Sequence, residues 1–291
     1  MLNKKGVDYS TPYFLYKRGE KNVRKSFIVS VIILAVMIGL YWQTSYINQQ
    51  KVSMHQSKDF VQAVYKERPP APIEALKKEP IIQQLALGDS IAAGYGTTGA
   101  SHHFVNIVSD SLKEMTGKQT TVDNEGIVGM TSGELAQFVQ KPSIINKIKR
   151  SQLITINIGG NDILDTFKES GGEQTMEEFD LIRTNYGIHM KQILTTIREN
   201  NPHATIILME LYTPRYMEKK YKLFSRLFLP DWNAVLEEAA SSYEPVVVVK
   251  TDRFTDEKDP SIWFKDDIHF NDDGQQDVAT GVIQTLKEQP Q

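Results

Sequence analysis

Ile81-Ile82-Gln83-Gln84-Leu85-Ala86-Leu87-Gly88-Asp89-Ser90, residues 81–90, is the stretch on which the reading of the chain turns. The apolar run ending at Leu87 reads as a buried strand, and the small residues behind it, Ala92, Ala93, Gly94 and Gly96, permit a sharp turn. A serine on a strand-to-helix turn stands at the carboxyl edge of a sheet, its hydroxyl exposed near helix-terminal N–H groups. That is a position for a nucleophile. The plainer alternative is an Asp-Ser pair that only caps a helix, and residues far downstream decide between the two.

From Ile81 onward the chain alternates apolar strands with amphipathic helices. The pattern predicts strands at Ile81–Leu87, Gln119–Asp123, Leu153–Ile158, Thr205–Met209 and Pro245–Val249. The clearest helix opens at Thr175, where Thr175 and Glu178 read as a capping box. Phe179, Ile182, Tyr186, Met190, Ile193 and Ile197 then follow at three- and four-residue spacing. Strands separated by helices imply a parallel sheet covered on both faces, with ligands bound beyond the carboxyl ends of its strands.

Three strand ends and the carboxyl-terminal segment carry distinctive residues. Gly88-Asp89-Ser90 follows the first strand, Asn124-Glu125-Gly126-Ile127-Val128-Gly129-Met130-Thr131 the second and Gly159-Gly160-Asn161-Asp162 the third. Asp266-Asp267-Ile268-His269 stands near the carboxyl terminus. Each has a plain reading as a turn or a helix cap. A calcium loop fails on spacing. With Gly274 at the required turn, His269 falls at the first ligand position and Thr280 where a bidentate Glu belongs. Together the four stretches meet the needs of acyl transfer. A serine hydroxyl is a weak nucleophile that needs a base, and the base needs an orienting group. Ser90 is the candidate nucleophile and His269 the base. Asp266, three residues earlier on one turn, can accept the His269 Nδ1 proton; Asp267 points elsewhere at that spacing, although the sequence alone leaves it open. The backbone N–H groups of Ser90 and Gly129 and the Asn161 side-chain amide supply oxyanion donors. Of the other histidines, His102 and His103 fall just after the Ser90 turn, at its rim. His189 lies beside a helical apolar stripe, His203 in a loop next to Pro202, and His55 far from any other candidate ligand.

With these residues in hand, the segment from Ile81 to the end resembles the SGNH (GDSL-type) hydrolases, whose name lists serine, glycine, asparagine and histidine in four blocks. All four appear in order: Gly88-Asp89-Ser90, Gly129, Gly159-Gly160-Asn161-Asp162 and Asp266-x-x-His269. The resemblance implies a flavodoxin-like three-layer α/β/α fold and ester hydrolysis through an acyl-serine, without metal or other cofactor. It also implies Ser90 as nucleophile, His269 as base, Asp266 as its orienter, and Ser90, Gly129 and Asn161 as oxyanion donors. Many members carry Asp after the second-block glycine; this chain has Met130, which changes the hydrogen bonding expected in that loop. The layout is similar to the membrane-attached lipase/acylhydrolase group of Gram-positive bacteria.

Composition narrows the alternatives. A formal net charge of −3 gives no reason to expect nucleic acid. The lack of cysteine excludes disulfides, thiolate metal sites, a cysteine nucleophile and a lipidated amino-terminal cysteine. Residues 1–25 are basic, as expected of a cytoplasmic segment. Phe27 to Trp42 carries no charge and, extended to Ile47, reaches about 20 residues, enough for one membrane-spanning helix over 26–47. Tyr41, Trp42 and Tyr46 form an aromatic belt, and the basic flank keeps the amino end inside and the catalytic domain outside. A cleaved signal peptide competes with this anchor, but the leader is long and no small-x-small site follows Trp42. Residues 48–80, broken by Pro69, Pro70 and Pro72, read as a stalk, and residues 81–291 as the hydrolase domain. Residues 212–230 mix basic and large apolar side chains, either as a surface helix or as a lid or acyl-chain wall over Ser90. The expected function is an outward-facing serine esterase acting on an acyl ester of lipid or O-acylated wall glycan. Its rivals are a catalytically silent envelope-binding module and acyl transfer to a wall polymer.

Overall fold

In a computed structural model the chain divides into two units, Met1–Arg68 and Pro69–Gln291. The structure describes residues 70–213, 215–251, 264–266 and 268–288, with backbone but not side chains over 215–226. In the first unit only Met37, Leu40, Gln43, Thr44 and Ile47 are described, all helical. The predicted anchor over 26–47 otherwise lies outside the described residues, as do His55, Asp267 and the basic segment 1–25. Among the described residues no helix is long and apolar enough to cross a membrane.

The second unit is built on five strands: β1 Ile81–Gly88, β2 Gln119–Gly126, β3 Leu153–Asn157, β4 Thr205–Met209 and β5 Val246–Val249. They follow the predicted runs, with β2 continuing past Asp123 to Gly126. All pair in parallel in the order β2-β1-β3-β4-β5. This is the doubly wound, flavodoxin-like order, whose switch point lies between β1 and β3.

The connecting helices are α1 Pro72–Leu76, α2 Phe104–Thr116, α3 Ser132–Phe138, α4 Pro142–Arg150, α5 Gly160–Asn200, α6 Arg215–Ala240 and α7 Asp272–Lys287. Each strand side chain alternates between the two faces, so two apolar layers form. On one, Leu85, Leu87, Ile154, Ile156 and Leu208 pack with Leu135, Ile148, Met190, Ile193 and Trp232 from α3 to α6. On the other, Ile82, Ala86, Ile207 and Met209 pack with Leu76, Phe104, Leu112 and Val282 from α1, α2 and α7. The three-layer α/β/α sandwich that the resemblance implies is present. Ile73 and Leu76 are buried in the second layer, so the end of the segment read as a stalk packs on the domain.

One predicted boundary is corrected. The helix expected to open at Thr175 is the second half of α5, which breaks at Gly171 (φ 80°, ψ 173°). Thr175 lies inside it, buried, with Oγ1 donating to the Gly171 carbonyl at 2.8 Å, and Glu178 accepts from the Gln174 side chain. The carbonyl freed at the break takes the hydroxyl that a capping box needs.

The sheet is tightest at the end of β1. Gly88 has φ +138°, and a Cβ there would stand 1.9 Å from the Asn157 carbonyl oxygen. That carbonyl accepts the Asp89 N–H at 3.1 Å, so β1 and β3 leave the sheet locked together. Gly88→Ala therefore meets both backbone strain and a clash with main chain. It is expected to lower the unfolding free energy by about 3 kcal/mol or more. Urea denaturation checks this, and a loss below about 1 kcal/mol would contradict it.

Candidate active site

The turn that carries Ser90 is shaped by Asp89. Asp89 Oδ1 accepts the Ile91 N–H at 2.9 Å, the Asp89 carbonyl accepts the Ala93 N–H at 3.0 Å and the Ser90 carbonyl accepts the Tyr95 N–H at 2.9 Å. Ser90 is left 7% exposed at the carboxyl edge of β1.

The histidine arrives on the loop before α7. Phe264 and Phe270 form an antiparallel bridge with their rings stacked 5.2 Å apart, and the Lys265 N–H donates to the His269 carbonyl at 2.8 Å. Within this closed loop, Asp266 Oδ1 accepts the N–H groups of Ile268 and His269, each at 2.7 Å. Its Oδ2 lies 2.8 Å from His269 Nδ1, and His269 Nε2 lies 3.0 Å from Ser90 Oγ. An ionised carboxylate only accepts, so Nδ1 carries the proton and Nε2 is left to accept from the serine. Partial burial pushes the Asp266 carboxyl up, but the backbone and side-chain N–H groups of His269 and the Ile268 N–H outweigh it, holding the group below its ordinary value. Tyr95 tilts against the imidazole at 4.5 Å, and the buried Tyr212 donates its hydroxyl to the Ile268 carbonyl at 2.8 Å.

Gly129 and Asn161 line the same cleft as Ser90 and His269. Gly129 has φ +84° in a turn closed by the Met130 N–H on the Ile127 carbonyl at 3.1 Å, and it is exposed. Asn161 Nδ2 donates to the Met130 carbonyl at 2.9 Å, which fixes the amide and leaves its second hydrogen for the cleft. Met130 is buried in the core and meets the Asn161 amide through its backbone oxygen.

The cleft holds about 220 Å³. Ile91, Val128, Ile163, Leu164, Leu211, Leu229 and Ile268 make most of its wall, with Thr213 and Lys168 as polar lining. From the segment 212–230, Tyr212, Thr213 and Leu229 thus face the cleft, whereas Leu227 is 54% exposed.

The remaining histidines stand elsewhere. The His103 ring packs over Gly94, His102 Nδ1 lies 3.4 Å from Asp272 Oδ2, and neither lines the cleft. His203 is an exposed loop residue. Asp162, part of the third block and plainly readable as a helix cap, accepts from Ser132, and His189 bonds Ser132 besides lying beside the apolar stripe. No spacing rule links these three, because α5 must first fold back at Gly171.

The order of blocks, the sheet topology and the bonded Ser90–His269–Asp266 line agree with a match of the GDSL-like lipase/acylhydrolase family to residues 86–276. The chain belongs to that family. It is a serine ester hydrolase. The chain is 27% identical over 207 residues to the uncharacterized protein YpmR of Bacillus subtilis, covering 70% of this chain and 81% of that protein. It is 25% identical over 137 residues to the spore germination lipase LipC of Bacillus licheniformis, covering 46% of this chain and 65% of LipC. The crystal structure of the lipase Lip_vut3 from a goat rumen metagenome shares the fold, with TM-score 0.62 at 20% identity over 70% of this chain and 97% of that one.

Burial pushes the Asp89 carboxyl up to about 7, aided by the Asp162 charge and opposed by the Ile91 N–H. In the unfolded chain the same group loses its proton near 3.8. Between these values the folded state holds a proton that the unfolded state has released. Folding stability from this group therefore falls as pH rises from about 4 to about 7 and is level above that. Asp89→Asn lacks this decline, so its stability relative to the unaltered chain should improve across that window. Denaturation midpoints measured from pH 4 to pH 8 check it; a pH-independent difference would contradict it.

Proposed function

We propose that Ser90 attacks the carbonyl of an acyl ester with an acyl chain longer than acetyl, as found in lipids. In this reading His269 Nε2 takes the Ser90 proton and hands it to the leaving alcohol, while Asp266 holds the Nδ1–H and stabilises the imidazolium. The backbone N–H groups of Ser90 and Gly129 and the Asn161 amide receive the developing oxyanion. Water, activated by the same histidine, then releases the acid from the acyl-serine.

The observation that carries the substrate class is the wall of the cleft. Ile163, Leu164, Leu211, Leu229 and Ile268 stand beside Ser90 and offer an alkyl chain a surface that an acetyl group does not need. The name of LipC, a lipase, points the same way. The basic leader over 1–25 and the uncharged stretch within 26–47 support a single-pass anchor with the catalytic domain outside the membrane, next to such lipids.

A series of p-nitrophenyl esters from acetyl to palmitoyl tests this on the full chain in detergent. The expected result is a kcat/KM that rises from acetyl toward decanoyl and vanishes in folded Ser90→Ala. A maximum at acetyl would replace the lipid reading with a deacetylase acting on O-acylated glycan. Transfer of the acyl group to an added sugar alcohol in preference to water would make the enzyme a transferase. Leu229→Asp places a charge on the cleft wall, and the decanoyl-to-acetyl ratio of kcat/KM should drop about ten-fold; an unchanged ratio would remove Leu229 from the acyl site.

A further inference from the structure

Ser132 is the first residue of α3, directly behind the Gly129 turn, and is fully buried. Its backbone N–H donates to Asp162 Oδ2 at 2.9 Å and its hydroxyl donates to Asp162 Oδ1. The same hydroxyl oxygen lies 2.9 Å from His189 Nδ1. Because the Ser132 proton goes to the carboxylate, its oxygen accepts from His189 Nδ1–H. A line of donors thus runs from His189 through Ser132 to Asp162. These are the three residue types of the candidate catalytic site with serine and histidine exchanged in order, the carboxylate again the last acceptor. Ser132 is fully buried and cannot meet a substrate, so the line has a structural part to play.

What it braces is the exposed turn over 127–130. Ile127, Val128 and Gly129 are exposed, and apart from the turn's own bond the Ile127 N–H on the Gly88 carbonyl, at 2.9 Å, holds its front. Its back is held by α5. Asn161 bonds the Met130 carbonyl and Asp162 bonds Ser132, so consecutive residues of one helix grip both sides of Thr131. His189 reaches the same point from the far half of α5, beyond the break at Gly171.

We propose that His189 is a positioning residue for the oxyanion donors, acting through Ser132 and Asp162 to hold Gly129 and Asn161 in register. This rests on the reading of Gly129 and Asn161 as donors to the oxyanion. Such donors work at about 2.7–3.1 Å from the charge that develops, and slack in their support is felt in the chemical step rather than in substrate binding.

The test compares His189→Leu, which removes the donor, with His189→Asn, which keeps an N–H the same number of bonds from the backbone. For each, kcat and KM on the preferred ester, the rate of inactivation by a fluorophosphonate and the melting temperature are measured. His189→Leu should lower kcat about ten-fold and slow inactivation in proportion, with KM within about two-fold and an unchanged melting temperature. His189→Asn should restore most of both rates. Full activity in His189→Leu, an Asn variant as slow as the Leu variant, or losses that follow the melting temperature would each overturn the brace. Should His189→Leu not fold, Ser132→Ala takes its place with the same outcomes, since it keeps the backbone N–H to Asp162. Undiminished kcat in a folded Asn161→Ala variant would overturn the underlying reading of the donors instead, so the two failures are told apart.

Discussion

The site depends on the close approach of β1 and β3 at Gly88. No side chain fits there, since a Cβ would meet the Asn157 carbonyl at 1.9 Å, and the register pairs Gly88 with Asn157. The two strands therefore end level, and the Asp89 N–H closes on the Asn157 carbonyl at 3.1 Å. Ser90 leaves one strand and Asn161 the helix after the other, side by side at the switch point of the sheet. The histidine comes from 179 residues away in sequence. Its loop is held by the Phe264–Phe270 bridge, by the packing of Tyr212 against both rings and by the Tyr212 hydroxyl on the Ile268 carbonyl.

Three carboxyls around this edge show how local donors set charge. Asp266 receives two backbone N–H groups and the imidazole, and these hold it ionised against its partial burial. Asp89 is buried with one N–H from Ile91 and is pushed up to about 7. Asp162 is also raised by burial, though both Ser132 bonds and the nearby His189 work against it. The acid bonded to His269 is thus the one richest in donors, and the two that shape backbone turns are the costly ones.

Much of this was legible in the sequence because it lies in short-range pattern. Buried parallel strands read as unbroken apolar runs, and all five predicted runs, from Ile81–Leu87 to Pro245–Val249, contain strands of the sheet. Ser90, Gly129, Asn161, Asp266 and His269 could be picked out as candidates because they sit near strand ends and turns, in the block order of the family that the chain resembles. The rest needed three dimensions. Thr175 looked like a cap until Gly171, four residues earlier, broke the helix and offered its carbonyl. His102 and His103 lie close to Ser90 in sequence, but the chain turns them toward Asp272 and Gly94. The link among Ser132, Asp162 and His189 spans 57 residues and exists only after α5 has folded back. Ile73 and Leu76 carry too short an apolar pattern to be told from a linker, yet they are buried.

The central claim is that Ser90 carries the acyl group during turnover. The direct measurement is peptide-level mass spectrometry of the enzyme quenched in acid while it hydrolyses a p-nitrophenyl decanoate. The account predicts a decanoyl adduct on the peptide that contains Ser90, absent when Ser90 is replaced by alanine. Steady turnover with the adduct on another peptide, or activity undiminished by that replacement, would contradict it.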